Sequence, residues 1–343
     1  MIRTTPQVPV TNSVSRLMLH VGYALIPGTA AYVWLFGAGI LVQIALACIT
    51  AVIAESVVLW LRKRPVTQTL GDGSALLTAV LLALAIPSIA PWWIIVLGTA
   101  FAILFGKQLY GGLGYNPFNP AMLGYVMLLV SFPLEMTTWP AAHSLLEQIP
   151  GIQTSLDAIF ATGMNVDAIS AATPLDALKT QLGQGVDIPT TLAAPGTGSL
   201  FGHVAGIGWE TVSIGFLLGG LYLLFTGRIA WQIPFAMLAT LAILSTLFYL
   251  IDPARYADPL LHLFGGASML GAFFIATDPV SAATTPRGRL IYGAGIGIIT
   301  FVIRSWGGYP EGLAFAVLLM NMAAPTIDHY TRPRSLRERG GQS

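Results

Sequence analysis

Two carboxylates, three hydroxyls and an ammonium share one short stretch, DAISAATPLDALKT, from Asp167 to Thr180. Thr173 offers a hydroxyl, and Ala171 and Ala172 are small enough to let the backbone approach a ligand. Pro174 disfavours helical geometry at Thr173 and holds it extended. Asp167 and Ser170 lie on the same flank. Residue chemistry alone leaves two readings: an exposed loop running into a short helix, Leu175 to Leu182, or a hydroxyl offered to a ligand. A second polar group stands in GYNPFNPAM, residues 114–122, and in ATDPVSAA, residues 276–283. There Asn116, Asn119 and Asp278 accompany prolines that break helices and leave carbonyls unpaired. Such breaks either bound a ligand site or are tight surface turns in which proline starts the next helix.

The elements that must position these groups are transmembrane. Of the 343 residues, 55% are hydrophobic and only 9% charged, where soluble domains carry about 25%. This is the composition of an all-α polytopic membrane protein. A net charge of +1 gives no footprint for nucleic acid. The single cysteine, Cys48, excludes an intrachain disulfide or a cysteine-ligated cluster built by this chain alone. Ten apolar spans fall near 19–38, 40–61, 74–90, 92–106, 117–133, 206–226, 230–250, 262–277, 290–304 and 311–328. The interval 134–205 is too polar to span and too long to be a turn. The chain divides into a first five-helix repeat (1–133), a polar insert (134–205), a second five-helix repeat (206–330) and a basic tail (331–343).

Basic residues orient the spans. With the N-terminus inside, Arg3, Arg16, Arg62, Lys63, Arg64, Lys107, Arg228, Arg287, Arg289, Arg332, Arg334, Arg337 and Arg339 fall on the inner side, thirteen of sixteen. Both termini come out cytoplasmic. The insert, with Glu135, Glu147, Asp157, Asp167, Asp176 and Asp187 against Lys179, lies outside, in the periplasm of a Gram-negative host. The stretches beginning GSALLTAV and GASMLGAF share a grammar: a Gly-led run, a proline break, a span ending in Lys107 or Arg304, Gly-Gly, tyrosine, then another span. One starts inside and the other outside, which makes the repeat inverted. Glu55 lies within a span and either snorkels towards Arg62–Arg64 or lines a route. Asp252, Asp278 and Glu311 sit at span ends, and Asn321 is a buried amide. The tryptophans fall mostly at interfaces, as aromatic belts do.

Asp167-Ala-Ile-Ser170-Ala-Ala-Thr173 resembles the flavinylation motif D-x-x-S-[GA]-A-T, with alanine at 171 where glycine is commoner. GGLGYNPFNPAMLGYV, ATDPVSA and GGYPEGLAFAVLLMNMAAPTID resemble the NqrB/RnfD family over essentially the whole membrane part. The length favours its RnfD branch. The resemblance implies an inverted-repeat bundle similar to urea and ammonium channels. It implies FMN esterified through its phosphate to Thr173 by a flavin transferase, with FAD as donor and AMP leaving. Asp167, Ser170, Ala171, Ala172 and Pro174 would form the attachment site. Lys179 is then either a partner for the flavin phosphate or a solvated surface lysine. A second, non-covalent flavin or riboflavin is implied near Asn116, Asn119 and Asp278. The setting would be the bacterial inner membrane, in an Rnf complex moving electrons between ferredoxin and NAD, coupled to Na⁺ or H⁺. Its neighbours would be RnfA, RnfB, RnfC, RnfE and RnfG. The competing readings are an NqrB-type subunit of a quinone reductase and an inverted-repeat solute channel.

Overall fold

The computed structural model describes residues 10–146, 150–161 and 166–332. Arg3, Glu147, Arg334, Arg337, Arg339 and most of the basic tail lie outside the described residues. The rest is an all-α multi-pass membrane protein. Five segments are long and apolar enough to cross a bilayer: Val14–Phe36, Gly39–Leu61, Trp92–Tyr110, Gln232–Ile251 and Pro286–Trp306. Shorter apolar helices occupy Ser74–Ala85, Pro120–Ser131 and Trp209–Phe225, and Leu313–Thr331 closes the bundle. With a broken segment at residues 259–275, helix stands at each of the ten expected spans. Large apolar side chains cover the perimeter: Trp34 is 75% exposed and Phe225 87%. That surface is stable only against lipid or other membrane-embedded protein.

Two spans differ from the sequence expectation. The third ends at Ala85 rather than near residue 90, because Pro87 forces Ile86 out of the helical region to φ −106°, ψ 160°. The non-helical backbone that follows is buried, and Gln43 Nε2 donates to the carbonyls of Ala90 (2.6 Å) and Ser88 (3.4 Å). Irregular backbone at membrane depth needs such a partner. The eighth span is two pieces, Pro259–Phe264 and, after Gly265–Gly266, Ser268–Leu270 continued by π-helix Gly271–Ile275. Gly266 takes φ +60°, which a side chain would resist. A second π-helical stretch, Ala102–Lys107, ends the fourth span.

Close helix approach replaces the hydrophobic effect as the organising force inside the bilayer. Gly215 and Gly219 on Trp209–Phe225 meet Ala24 and Gly28 on the first helix. A Cβ built on Gly219 would lie 1.8 Å from the Ala24 carbonyl oxygen. Gly219→Ala is therefore expected to push two backbones apart and destabilise by about 1–3 kcal/mol, read as a lower unfolding midpoint in detergent. An unchanged midpoint would mean the crossing is looser than its geometry.

The two halves join at a buried amide. The backbone N–H of Asn119 donates to Asn321 Oδ1 at 2.9 Å, and Asn119 Nδ2 donates to Ile275 O at 3.3 Å, at the end of the π segment. Asn321 Nδ2 donates to Tyr292 Oη (2.7 Å) and Ser281 O (3.2 Å). The insert has a small core of its own, with Leu175, Leu178 and Ile188 buried against Ala205 and Leu261. That core docks the insert onto the second half.

Candidate functional site

Thr173 adopts φ −71°, ψ 155°, the extended geometry its following proline demands, and caps the ten-residue helix Pro174–Gly183. Its Oγ1 accepts from the Asp176 N–H at 3.3 Å. The run before it is a short antiparallel pairing, Trp139 opposite Ala171 and Pro140 opposite Ser170. Asp167 opens a single 3₁₀ turn, Asp167–Ile169, and is exposed. Ala172 is exposed, while Ser170 and Ala171 are half-buried in the pairing. Gly206 presses on Pro174 from behind: a Cβ there would come within 2.3 Å of Pro174 Cγ. Burial pushes the Asp176 carboxyl up from the usual carboxylate range.

Thr173 and Pro174 face a chamber of about 1190 Å³, open mouth included, between the two halves. Its walls are mostly apolar and aromatic, with Tyr125, Trp139, Trp209 and Tyr309 among them, and Glu311 is its one charged wall residue. Glu311 is held by Arg304, whose NH2 donates to Oε2 at 2.7 Å, and by the backbone N–H groups of Ala267 and Leu313. Sequence reasoning assigned the tryptophans to interface belts. It missed that Trp139 and Trp209 gather at this chamber, since the contact joins residues far apart in the chain.

Asn116, Asn119 and Asp278 do not join Thr173. They line a second cavity of about 770 Å³, together with Ser74, Lys107 and Arg228. Asn119 caps Pro120–Ser131 by accepting from Met122 N at 3.2 Å. Asn116 is buried, and its Oδ1 has no hydrogen-bond partner among the described residues. Glu55 does not snorkel. It is buried and ion-paired with Lys107 at 2.6 Å, and accepts from Gln108 Nε2 at 2.6 Å. Lys107 also donates to Ser74 Oγ at 2.7 Å. The repeat matches the cation–serine contact, since Arg304 donates to Ser268 Oγ at 3.0 Å, while its carboxylate partner Glu311 comes from a position with no equivalent to Glu55. Each cavity thus has a serine-bound cation and its carboxylate in or beside its wall.

Lys179 is neither solvated nor at the Thr173 end of its helix. Its Nζ donates to the carbonyls of Ile303 (2.9 Å) and Arg304 (3.0 Å), in the last turn of Pro286–Trp306. Ile303 O also accepts the Gly307 N–H, and the turn is the negative end of the helix dipole. Lys179→Met is expected to cost about 1–3 kcal/mol by taking this donor from the Arg304 carbonyl, while Ile303 O keeps the Gly307 N–H. The readout is faster hydrogen exchange in Pro174–Gly183 with the spans unchanged; uniform protection would refute the tether.

The NQR2, RnfD, RnfE family model matches residues 1–337. The D subunit of the ion-translocating oxidoreductase complex of Erwinia tasmaniensis is 50% identical over 352 aligned positions, covering 99% of each chain. The protein of the same name from Escherichia coli O6:H1 is 50% identical over 351 positions, again covering 99% of each. That from Cronobacter sakazakii is 50% identical over 344, covering 97% of each.

Proposed function

This chain belongs to the NQR2, RnfD, RnfE family, and from that membership we propose that it is the flavin-carrying membrane subunit of an Rnf-type ion-translocating oxidoreductase complex, with FMN esterified through its phosphate to Thr173. The observation that carries the reading is the placement of Thr173: extended, at the N-cap of a ten-residue helix, on the wall of a large aromatic chamber. The near-equal lengths of this chain and its ion-translocating relatives favour the Rnf type over the NqrB type.

The residues present fit an ester-linked flavin. Thr173 Oγ1 accepts in its cap bond, so an ester oxygen keeps the role. An anionic phosphodiester there would lie at the positive end of a helix dipole. Ala171 and Ala172 leave room beside it. The chamber is concave, mostly apolar and open on one side, as small-ligand sites are. When bound, the flavin supplies the electron transfer that no side chain of this protein provides. The second cavity suits a non-covalent flavin or riboflavin: Asn116 offers an unpartnered buried acceptor, and Arg228 and Asp278 supply charge.

The basic residues favour a bacterial inner-membrane location with cytoplasmic termini and a periplasmic insert. An electron reaching Thr173 from the cytoplasm would then cross the bilayer, a step worth about 2.3 kcal/mol per charge per 100 mV and available for coupling to a cation. RnfA, RnfB, RnfC, RnfE and RnfG are the proposed neighbours, lipid surrounds the bundle, and a flavin transferase matures Thr173. The test is a denaturing gel of protein expressed with that transferase. A band fluorescing under ultraviolet light supports covalent flavin, and flavin released on denaturation counts the second site. A dark band overturns the covalent reading and brings the solute channel forward.

A further inference from the structure

The proposed attachment of FMN to Thr173 leaves open what receives the flavin ring. We infer that the indole of Trp139 is its stacking partner, with Trp209 as the buttress that holds Trp139 in place. The inference rests on the flavin reading of Thr173 and deepens it.

Local geometry places Trp139 correctly. It is the cross-strand partner of Ala171, two residues before Thr173, and directly opposed residues put their side chains on the same face of a ribbon. In extended backbone, residues 171 and 173 also face one way. Trp139 and Thr173 accordingly line the same chamber. The pairing is reinforced by Ala141 N donating to Ile169 O at 2.9 Å. The segment that carries the attachment threonine therefore sets the position of the indole.

Trp209 is immobilised by its neighbours. Its ring meets Phe36 at 4.3 Å, Tyr32 at 5.6 Å and Trp139 at 5.3 Å. The contact with Trp139 is edge-to-face at 86°. Trp139 has no other aromatic partner among the described residues, and it is only half-buried. A chamber-lining indole so braced offers a rigid π-surface to a planar ring, at little cost in side-chain entropy. Of the other aromatic walls, Tyr32, Phe216 and Tyr309 already contact other rings and Tyr125 is buried, and Glu311 is saturated by four donors. The substrate class of the surface is a flat, electron-poor heteroaromatic, which is what oxidised isoalloxazine is.

The test uses the stacked pair's photophysics. An indole in contact with an excited flavin passes it one electron and takes it back, which quenches fluorescence without net chemistry. Native wild-type protein is expected to be dim and to brighten severalfold in SDS. Trp139→Leu and Trp139→Phe are expected to lengthen the native fluorescence lifetime severalfold, with the SDS band unchanged. Trp139→Phe, which keeps a ring, should retain the visible circular dichroism of an ordered flavin, and Trp139→Leu should lose it. Native lifetimes equal to wild type in both variants, with bright SDS bands, overturn this inference alone. A dark wild-type band in SDS overturns the flavin reading, and this inference with it.

Discussion

Thr173→Ala is expected to abolish covalent flavin while costing the fold only about 1 kcal/mol, the usual loss for an N-cap threonine. The two effects separate because Thr173 has two roles. Its oxygen accepts the Asp176 N–H, a contact the rest of the insert can spare. The helix behind it keeps Leu175 and Leu178 in a buried cluster and Lys179 on the carbonyls of Ile303 and Arg304. Its hydroxyl is also the proposed nucleophile, for which alanine has no substitute. Thr173→Asn makes the separation cleaner, since asparagine is a good N-cap but forms no phosphoester. The asparagine variant should unfold at the wild-type temperature and give a dark band in a denaturing gel. Thr173→Ser should keep both cap and band. A fluorescent band in Thr173→Asn would place the flavin elsewhere.

The second large effect is expected at Glu55 and Lys107, which are 0% and 1% exposed and 2.6 Å apart. Removing one member of a buried pair strands the other charge, at about 3–5 kcal/mol. Glu55→Leu leaves the Lys107 ammonium with only Ser74 Oγ, and Lys107→Met leaves the Glu55 carboxylate with only Gln108. Each single variant should show a sharply reduced folded fraction in detergent. The double variant should recover most of the loss, because it buries two apolar chains in place of two charges. Burial decides the magnitude. The exposed pair Arg255–Asp252, at 3.7 Å with Arg255 80% exposed, should contribute about 0–1 kcal/mol. If the Glu55→Leu and Asp252→Ala midpoints matched, the buried-pair account would be wrong.

The approximate span positions and the extended geometry at Thr173 were legible along the chain because each is decided by near neighbours, whereas the cap at Thr173 and the breaks after Ala85 and at Gly265–Gly266 emerged with the structure. A run of apolar residues sets its own transfer free energy into lipid, so ten spans could be counted before any contact was known. Pro174 acts on Thr173, the residue directly before it. The Lys107 and Arg304 repeat was legible for the same reason, as matching positions in two similar stretches. Partnerships were not legible. Lys179 meets a carbonyl 124 residues away, and Asn119 meets Asn321 across 202. No periodicity records such separations. Glu55 could be read as snorkelling from its distance to Arg62 alone, until packing brought Lys107 to it. The sequence by itself determined a ten-span membrane protein with an extended threonine ahead of a short helix in a polar insert. Only the tertiary structure decided that this threonine faces an aromatic chamber, that Asn116, Asn119 and Asp278 serve a different cavity, and which buried charges neutralise one another. Those outcomes depend on which helices pack together, and that is set by small-residue contacts between spans rather than by any one span.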